Sequence, residues 1–394
     1  MTNSANKSLL WVDAHMEFRS PSVQHLLHSL PSIREAGWEI EIWCLRSDAP
    51  RDAARHVFIP APKWLGPFEL LYFSLAVNLY GLWRKFFGRP MRFTVIHATC
   101  GTYLGANLTS VHFVSSLWAK KQIELGFDTW KEVARFLLGF GGVVFERLTW
   151  WSPSIKKILC VSDSIAREIK ERAPAGVPVE TFPNSYDETR FNPDVRERYR
   201  QAVRTELGLQ PCDTAFVFVS QGHYKRKGLW LAVEALARLR QERLSHLRLL
   251  VVGGSAATLD SLRLQLAVRA ADWKKWVLLL GMQPQVEKYY AAADAFLFPS
   301  YFEAFSLAEI EAAACGLPLL LTPHHGAEMI LRDGINGMEL SFDPREMSCQ
   351  LRRRGRPQRE CARLPPFAPG AGRGLNRAQY ARQLLETYEA FVSA

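Results

Sequence analysis

Two glutamates, Glu303 and Glu311, stand eight residues apart in SYFEAFSLAEIEAAACGLP at 300–318. The apolar run AFLFPS at 295–300 reads as a strand buried on both faces. Residues 306–315 read as a helix ended by Gly316, with Pro318 just beyond. Glu303 therefore falls in a loop at the C-terminal edge of a sheet, and Glu311 inside the helix that follows. Open α/β sheets bind ligands outside that edge. Free amides at a helix start attract phosphate, and Ala304, Phe305, Ser306 and Leu307 form that turn. Carboxylates on either side of such a nest can accept hydrogen bonds from sugar hydroxyls. Taken by itself, Glu311 reads better as an exposed helix residue.

A second group is SQGHYKRKGL at 220–229, again between a strand and a helix. Lys225, Arg226 and Lys227 sit where the helix dipole adds partial positive charge. A diphosphate arriving there meets cations and amides, although Lys225 reads more simply as part of a solvated loop. No Asp-x-Asp triplet, H-E-x-x-H, G-x-S-x-G or GxGxxG element occurs. The seven cysteines form no C-x-x-C pair, so neither a zinc site nor a disulfide framework is expected.

The elements that position these residues alternate. SLLWV at 8–12, EIEIWCL at 39–45, HVFI at 56–59, FTVIHA at 93–98, TSVHFV at 109–114 and KILCV at 157–161 read as strands with helical patterns between them. Ser20 and Pro21 read as the cap and first residue of the first helix, and Ser162 as the cap of a later one. AFVFVS, LRLLVVGG, WVLLLG, AFLFPS and LPLLLT continue the series from 215 to 322. Alternation of this kind implies parallel strands with crossover helices. The fold class is α/β, with two doubly wound domains joined near 183–200.

With 394 residues, 48% hydrophobic and 22% charged, the chain is neither disordered nor too small for its own core. The net charge of +10 favours polyanionic partners. Part of that excess lies in the Arg-rich stretch 351–374, whose single acid is Glu360. No aromatic-basic module accompanies it, so nucleic acid is not an expected partner. The N-terminus has no signal-peptide pattern, and Leu70–Trp83 is too short to span a bilayer. A reducing, cytoplasmic compartment fits the cysteine usage.

Two stretches break the pattern. Trp64–Phe87 is aromatic, with Arg84, Lys85 and Arg89 at its end, and FLLGFGGVVFERLTWW at 136–151 resembles it. Each reads either as a buried helix or as an exposed apolar face lying on an anionic membrane. Arg345–Asn376 is rich in Arg and Pro without periodicity, and reads as a disordered loop or a local shift of reading frame.

The Glu303–Pro318 stretch resembles the Glu-x-seven-Glu region of the retaining family-4, group 1 glycosyltransferases of GT-B fold. Gly326, Glu328, Asp333-Gly334 and Asn336-Gly337 extend the likeness, as does TFPNSYDETRFNP at 181–193. The resemblance implies two Rossmann-like domains facing a cleft. It implies that Glu303 contacts the donor sugar, that Glu311 contacts the ribose hydroxyls, and that Arg226 and Lys227 clamp the pyrophosphate. Gln221 and Gly222 stand where many relatives carry a further arginine. The backbone at Gly281 and Met282 corresponds to the segment that holds the base. In the first domain, His112 reads either as a contact to the reacting sugar or as a packed strand-end residue, and His97 has the weaker claim. Asp13 and His15 follow the first strand and face the acceptor side. Phe18-Arg19-Ser20-Pro21 replaces the glycines that relatives carry there.

The expected organisation is an acceptor-binding domain over 1–190, a nucleotide-sugar domain over 191–376, and a helix at 377–394 crossing back toward the first. The expected function is sugar transfer from a nucleotide-diphosphate donor to a glycolipid or glycan, with retention, in lipopolysaccharide or cell-surface polysaccharide assembly. Neither cofactor nor metal is expected. The alternatives are a nucleotide-sugar epimerase and a non-catalytic nucleotide-sugar-binding protein.

Overall fold

The computed structural model describes residues 7–88, 93–127, 129–353 and 375–393. The chain divides into two units, one of Met1–Ser185 with Leu375–Ala394 and the other of Tyr186–Gly374.

The first unit is built on a seven-stranded sheet: β1 (Ser8–Val12), β2 (Glu39–Cys44), β3 (Arg55–Phe58), β4 (Val95–Thr99), β5 (Leu108–Val111), β6 (Lys157–Cys160) and β7 (Val179–Thr181). Their spatial order is β3-β2-β1-β4-β5-β6-β7, and every pairing is parallel. The helix Arg377–Val392 completes this unit. Tyr380, Leu384 and Tyr388 recur every four residues and enter the core that holds Leu9, Trp11, Leu26 and Ile33. Asn376 and Gln379 form a reciprocal capping box at its start.

The second unit carries β8 (Thr214–Val219), β9 (Leu247–Val252), β10 (Val277–Gly281), β11 (Ala295–Phe298), β12 (Leu319–Leu321) and β13 (Gly337–Glu339). The order β10-β9-β8-β11-β12-β13, all parallel, reverses direction between β8 and β11. That reversal is the topological switch point, where open sheets leave a crevice at the strand ends. Nearly all residues of β8, β9, β11 and β12 are buried, as their continuous apolar sequence requires.

Three expectations are corrected. The first helix spans Gln24–Glu35 and not 21 onward; Ser20 closes a turn whose carbonyl accepts from Gln24 N, and Val23 stands at the cap. Trp64–Phe87 is neither one helix nor wholly buried. A 3-10 turn over Lys63–Phe68 breaks at Gly66, and the helix Glu69–Phe87 buries only Phe73, Ser74, Val77 and Gly81. The start of the Arg-rich segment is regular, since Pro344–Arg353 is helical. Met347 and Leu351, one turn apart, are both buried with Ser348 where the helix packs against Leu229–Gln241. The rest of the segment, 354–374, lies outside the described residues.

Candidate functional site

The switch point of the second unit brings two loops together. β8 leads into Ser220–Gly228 and β11 into Pro299–Ser306. Gly228 has φ of 75° and opens the helix Leu229–Gln241. A Cβ at this glycine would collide with the carbonyl of Pro299, so only glycine lets the basic loop close on the strand end. The backbone of Arg226 then accepts from Tyr301 N at 2.9 Å and from Ser300 Oγ at 3.3 Å.

These ties set Lys227 Nζ 3.3 Å from Glu303 Oε1 and 4.8 Å from the centre of the Phe298 ring. Glu303 is buried. Burial pushes its carboxyl up, but Lys227, Arg226 and His324 together outweigh that and hold it below its ordinary value. The site thus presents an ionised carboxylate among cations. Ala304, Phe305 and Ser306 are buried beside it, and Ser306 starts the helix Leu307–Ala314 with no side-chain cap on the first amides. Gly326, at φ of 88°, packs against Ala304 and Phe305 so closely that a Cβ would lie 2.8 Å from the Ala304 oxygen.

Glu311 occupies a different environment in the same helix. It is half-buried, not exposed, and its Oε2 accepts from Tyr290 Oη at 3.2 Å. Burial raises it to about 7; Tyr290 and Arg190 oppose this, while Glu287 and Asp187 reinforce it. Arg190 is itself bound to Glu287 at 2.7 Å. Gly281 ends β10 on the same sheet edge, two strands out from β8, and Met282, exposed, follows it. Lys227, Arg226 and Glu303 are therefore gathered at one point, Glu311 lies along the helix from them, and Gly281 and Met282 lie at the rim.

In the first unit, Asp13 follows β1 and Thr99 ends β4, at the corresponding switch point. Thr99 Oγ1 donates to Asp13 Oδ2, and His15 N donates to Asp13 Oδ1 at 2.7 Å. Burial raises the Asp13 carboxyl to about 6. Both oxygens serve the fold. His15 is half-exposed and pairs with Glu69 at 3.1 Å. His112 follows β5; its ring nitrogens are sealed from solvent with no partner at hydrogen-bond distance among the described residues, although the Asn184 side chain is near enough to favour its charged form. Burial wins, lowering His112 to about 4, so its imidazole is neutral at pH 7. His97 is a packing residue, bonded to Tyr388 Oη and Ser110 Oγ at 2.7 and 2.6 Å.

Sequence reasoning missed His324 and Glu309, which join the group around Glu303. The available signal was positional: His324 lies just past β12 at the same sheet edge, and Glu309 is two residues before Glu311.

Comparison with known proteins bears on the family and the fold. Residues 22–190 match the model described as Glycosyltransferase Family 4, and residues 213–353 match Glycosyl transferases group 1. A D-inositol 3-phosphate glycosyltransferase of Nocardia farcinica is 31% identical over 222 residues, covering 54% of this chain and 47% of that protein. The chain spans about half the length of the curated relatives it matches. Among solved structures, WaaG, a glycosyltransferase involved in lipopolysaccharide biosynthesis, superposes with a TM-score of 0.67 at 18% identity over 98% of each chain. HepE of Anabaena, in complex with UDP-glucose, superposes with a TM-score of 0.65 at 14% identity over 97% of this chain and 99% of that one. With two α/β units and family matches on both, the chain belongs to the group 1, family 4 glycosyltransferases of GT-B fold.

Proposed function

We propose that the chain transfers a sugar from a nucleotide-diphosphate donor to a glycolipid or glycan acceptor. The observation that carries this reading is the Lys227–Glu303 pair at the switch point of the second unit. A carboxylate kept ionised beside two cations can accept from sugar hydroxyls while the cations hold the diphosphate. When the bond from the anomeric carbon to the diphosphate breaks, negative charge grows on the leaving oxygen. Lys227, Arg226 and the uncapped amides after Ser306 stabilise that charge in place before it forms, which is the largest contribution such sites make. No metal enters this reading. Glu311 takes the ribose hydroxyls, and Gly281 and Met282 the base. The family resemblance gives His112 a role toward the reacting sugar, which its sealed, neutral ring can fill only once uncovered, and gives Asp13 and His15 the acceptor side. Retention of configuration, with attack on the face the diphosphate leaves, follows the family resemblance.

The acceptor is a glycolipid of the lipopolysaccharide or cell-surface polysaccharide class, taken at the inner face of a membrane. Support comes from the first unit. The helices Glu69–Phe87 and Trp130–Trp150 touch where Leu71 meets Gly141. They expose Leu79, Trp83, Phe86, Phe87, Trp130, Leu137 and Phe140. Lys85, Arg135 and Arg147 are exposed alongside. Apolar patches rimmed by basic groups suit anionic headgroups. No described helix is long and apolar enough to cross a membrane.

The test is a thermal-shift screen of the full chain against UDP, GDP and ADP sugars, followed by transfer assays with lipid-linked glycan and with inositol 3-phosphate. The expected result is one donor that raises the melting temperature and supports transfer to the lipid acceptor in the presence of EDTA. Donor binding without turnover would replace transfer by sensing. Sugar isomerisation without an acceptor would make the protein an epimerase. Transfer to inositol 3-phosphate alone would overturn the glycolipid half of the reading.

A further inference from the structure

His324 is held at both ring nitrogens. Nδ1 lies 2.7 Å from the carbonyl oxygen of Thr322. A carbonyl only accepts, so Nδ1 carries a proton. Nε2 lies 2.9 Å from Glu309 Oε1, and the two side chains are 1% and 0% exposed. Glu309 Oε2 is buried with no hydrogen-bond partner among the described residues. A sealed carboxylate with a single contact is costly unless that contact is a cation. Thr322 Oγ1, in turn, donates to the carbonyl of Ser300 at 2.7 Å, and Ser300 Oγ lies 3.3 Å from Glu303 Oε1. The histidine is thus built into the wall that carries Glu303.

We propose that His324 is the third cation of the donor pocket, held doubly protonated by Glu309, and that its charge sets the affinity for the nucleoside diphosphate. The proposal rests on the donor-site reading above. The His324 side chain is 1% exposed, so it is a positioning residue acting through Glu303 and through the field of the pocket. With His324 charged, Lys227, Arg226, His324, Glu303 and Glu309 carry a net positive charge. Once it loses its proton the five are neutral and the diphosphate loses part of its attraction.

The groups around the ring are Glu309 from the helix Leu307–Ala314, and Glu303 from the loop after β11 with Lys227 and Arg226 behind it. His325 and Glu328 lie on its own segment, where His325 packs edge-on against Phe302. Burial pushes the His324 imidazole down, but Glu309 and then Glu303 outweigh it, so the ring holds its proton above the ordinary histidine range. The charge is present below that raised value and is lost as pH rises through it.

Two measurements on the full chain test this. Nitrogen-15 histidine NMR should show one ring, absent from His324→Gln, that is doubly protonated at pH 7. A neutral ring at pH 7 overturns the proposal. Calorimetric titration with UDP should show affinity falling roughly tenfold across that ring's titration, the effect of one charge at this range. His324→Gln should be uniformly weak on the alkaline side, and Glu309→Gln should move the fall to lower pH. If His324→Gln does not fold, the wild-type profile and Glu309→Gln decide. UDP binding unchanged from pH 6.5 to 9 overturns this proposal alone. Absence of binding by UDP, GDP and ADP at every pH overturns the donor-site reading as well.

Discussion

Tyr388 Oη lies 2.7 Å from His97 Nδ1 and accepts from Trp11 Nε1 at 2.9 Å. The tyrosine has one proton to give, so it donates to His97 Nδ1, and the imidazole carries its own proton on Nε2 toward Ser110 Oγ. Burial lowers His97 to about 3 and keeps it neutral. Tyr388→Phe should leave two buried polar atoms unmatched and destabilise the first unit by about 2–4 kcal/mol, read by urea denaturation.

The same ring gives a pH dependence with a definite sign. His97 binds its proton more readily unfolded, near 6.5, than folded, near 3. Its contribution to stability is complete above the unfolded value and is lost as pH falls below it. The stability gap between wild type and His97→Gln should therefore narrow by about 1.4 kcal/mol per pH unit below 6.5. A gap that widens on acidification would refute the assignment. Comparing variants isolates the effect, because Asp13 and Glu146, raised by burial to about 6 and 7, act in the opposite direction.

Lys227→Ala and Glu303→Ala should each lower turnover about 100- to 1,000-fold, the usual cost of removing one charge-stabilising group, with melting temperatures close to wild type. Near wild-type transfer in either variant removes that residue from the site.

Glu311, raised to about 7, should give donor affinity an acid limb. Its carboxylate accepts from hydroxyls; its protonated form does so poorly. Affinity should fall as pH drops below about 7, and Glu311→Gln should abolish the limb. Because His324 governs the alkaline side, the two substitutions should remove opposite arms of one bell-shaped profile.

Phe86→Ser with Phe87→Ser should release the chain from vesicles containing anionic lipid. The two rings are 71% and 81% exposed, and each transfers about 1.5–3 kcal/mol of apolar surface when it inserts. Retention of the wild-type chain in the supernatant at low ionic strength would rule out this surface.

Much of the fold was legible because its strands are buried on both faces: AFVFVS, LRLLVV and AFLFPS can be little else. The Glu303–Glu311 spacing was legible as well, and so was the basic loop ending at Gly228. The limits of helices were not. Ser20 has the chemistry of a cap, yet the turn it closes delays the helix to Gln24. The Arg-rich helix Pro344–Arg353 was hidden because two buried apolar residues, Met347 and Leu351, are too few to show a period. His324 and Glu309 escaped notice because their meaning is relational. A histidine and an acid fifteen positions apart gain significance only when β12 brings them together.

The helix Arg377–Val392 belongs to the unit whose strands begin at Ser8, with the whole of Tyr186–Gly374 interposed. During synthesis, domains ordinarily fold in the order they leave the ribosome. Here the earliest-made half must wait for Tyr380, Leu384 and Tyr388 before its core can close. The later-made half, complete by residue 374, can fold first. A chain cut short between 353 and 375 would leave Leu9, Trp11, Leu26 and Ile33 without Tyr380, Leu384 and Tyr388 over them, a ready substrate for chaperones and proteases.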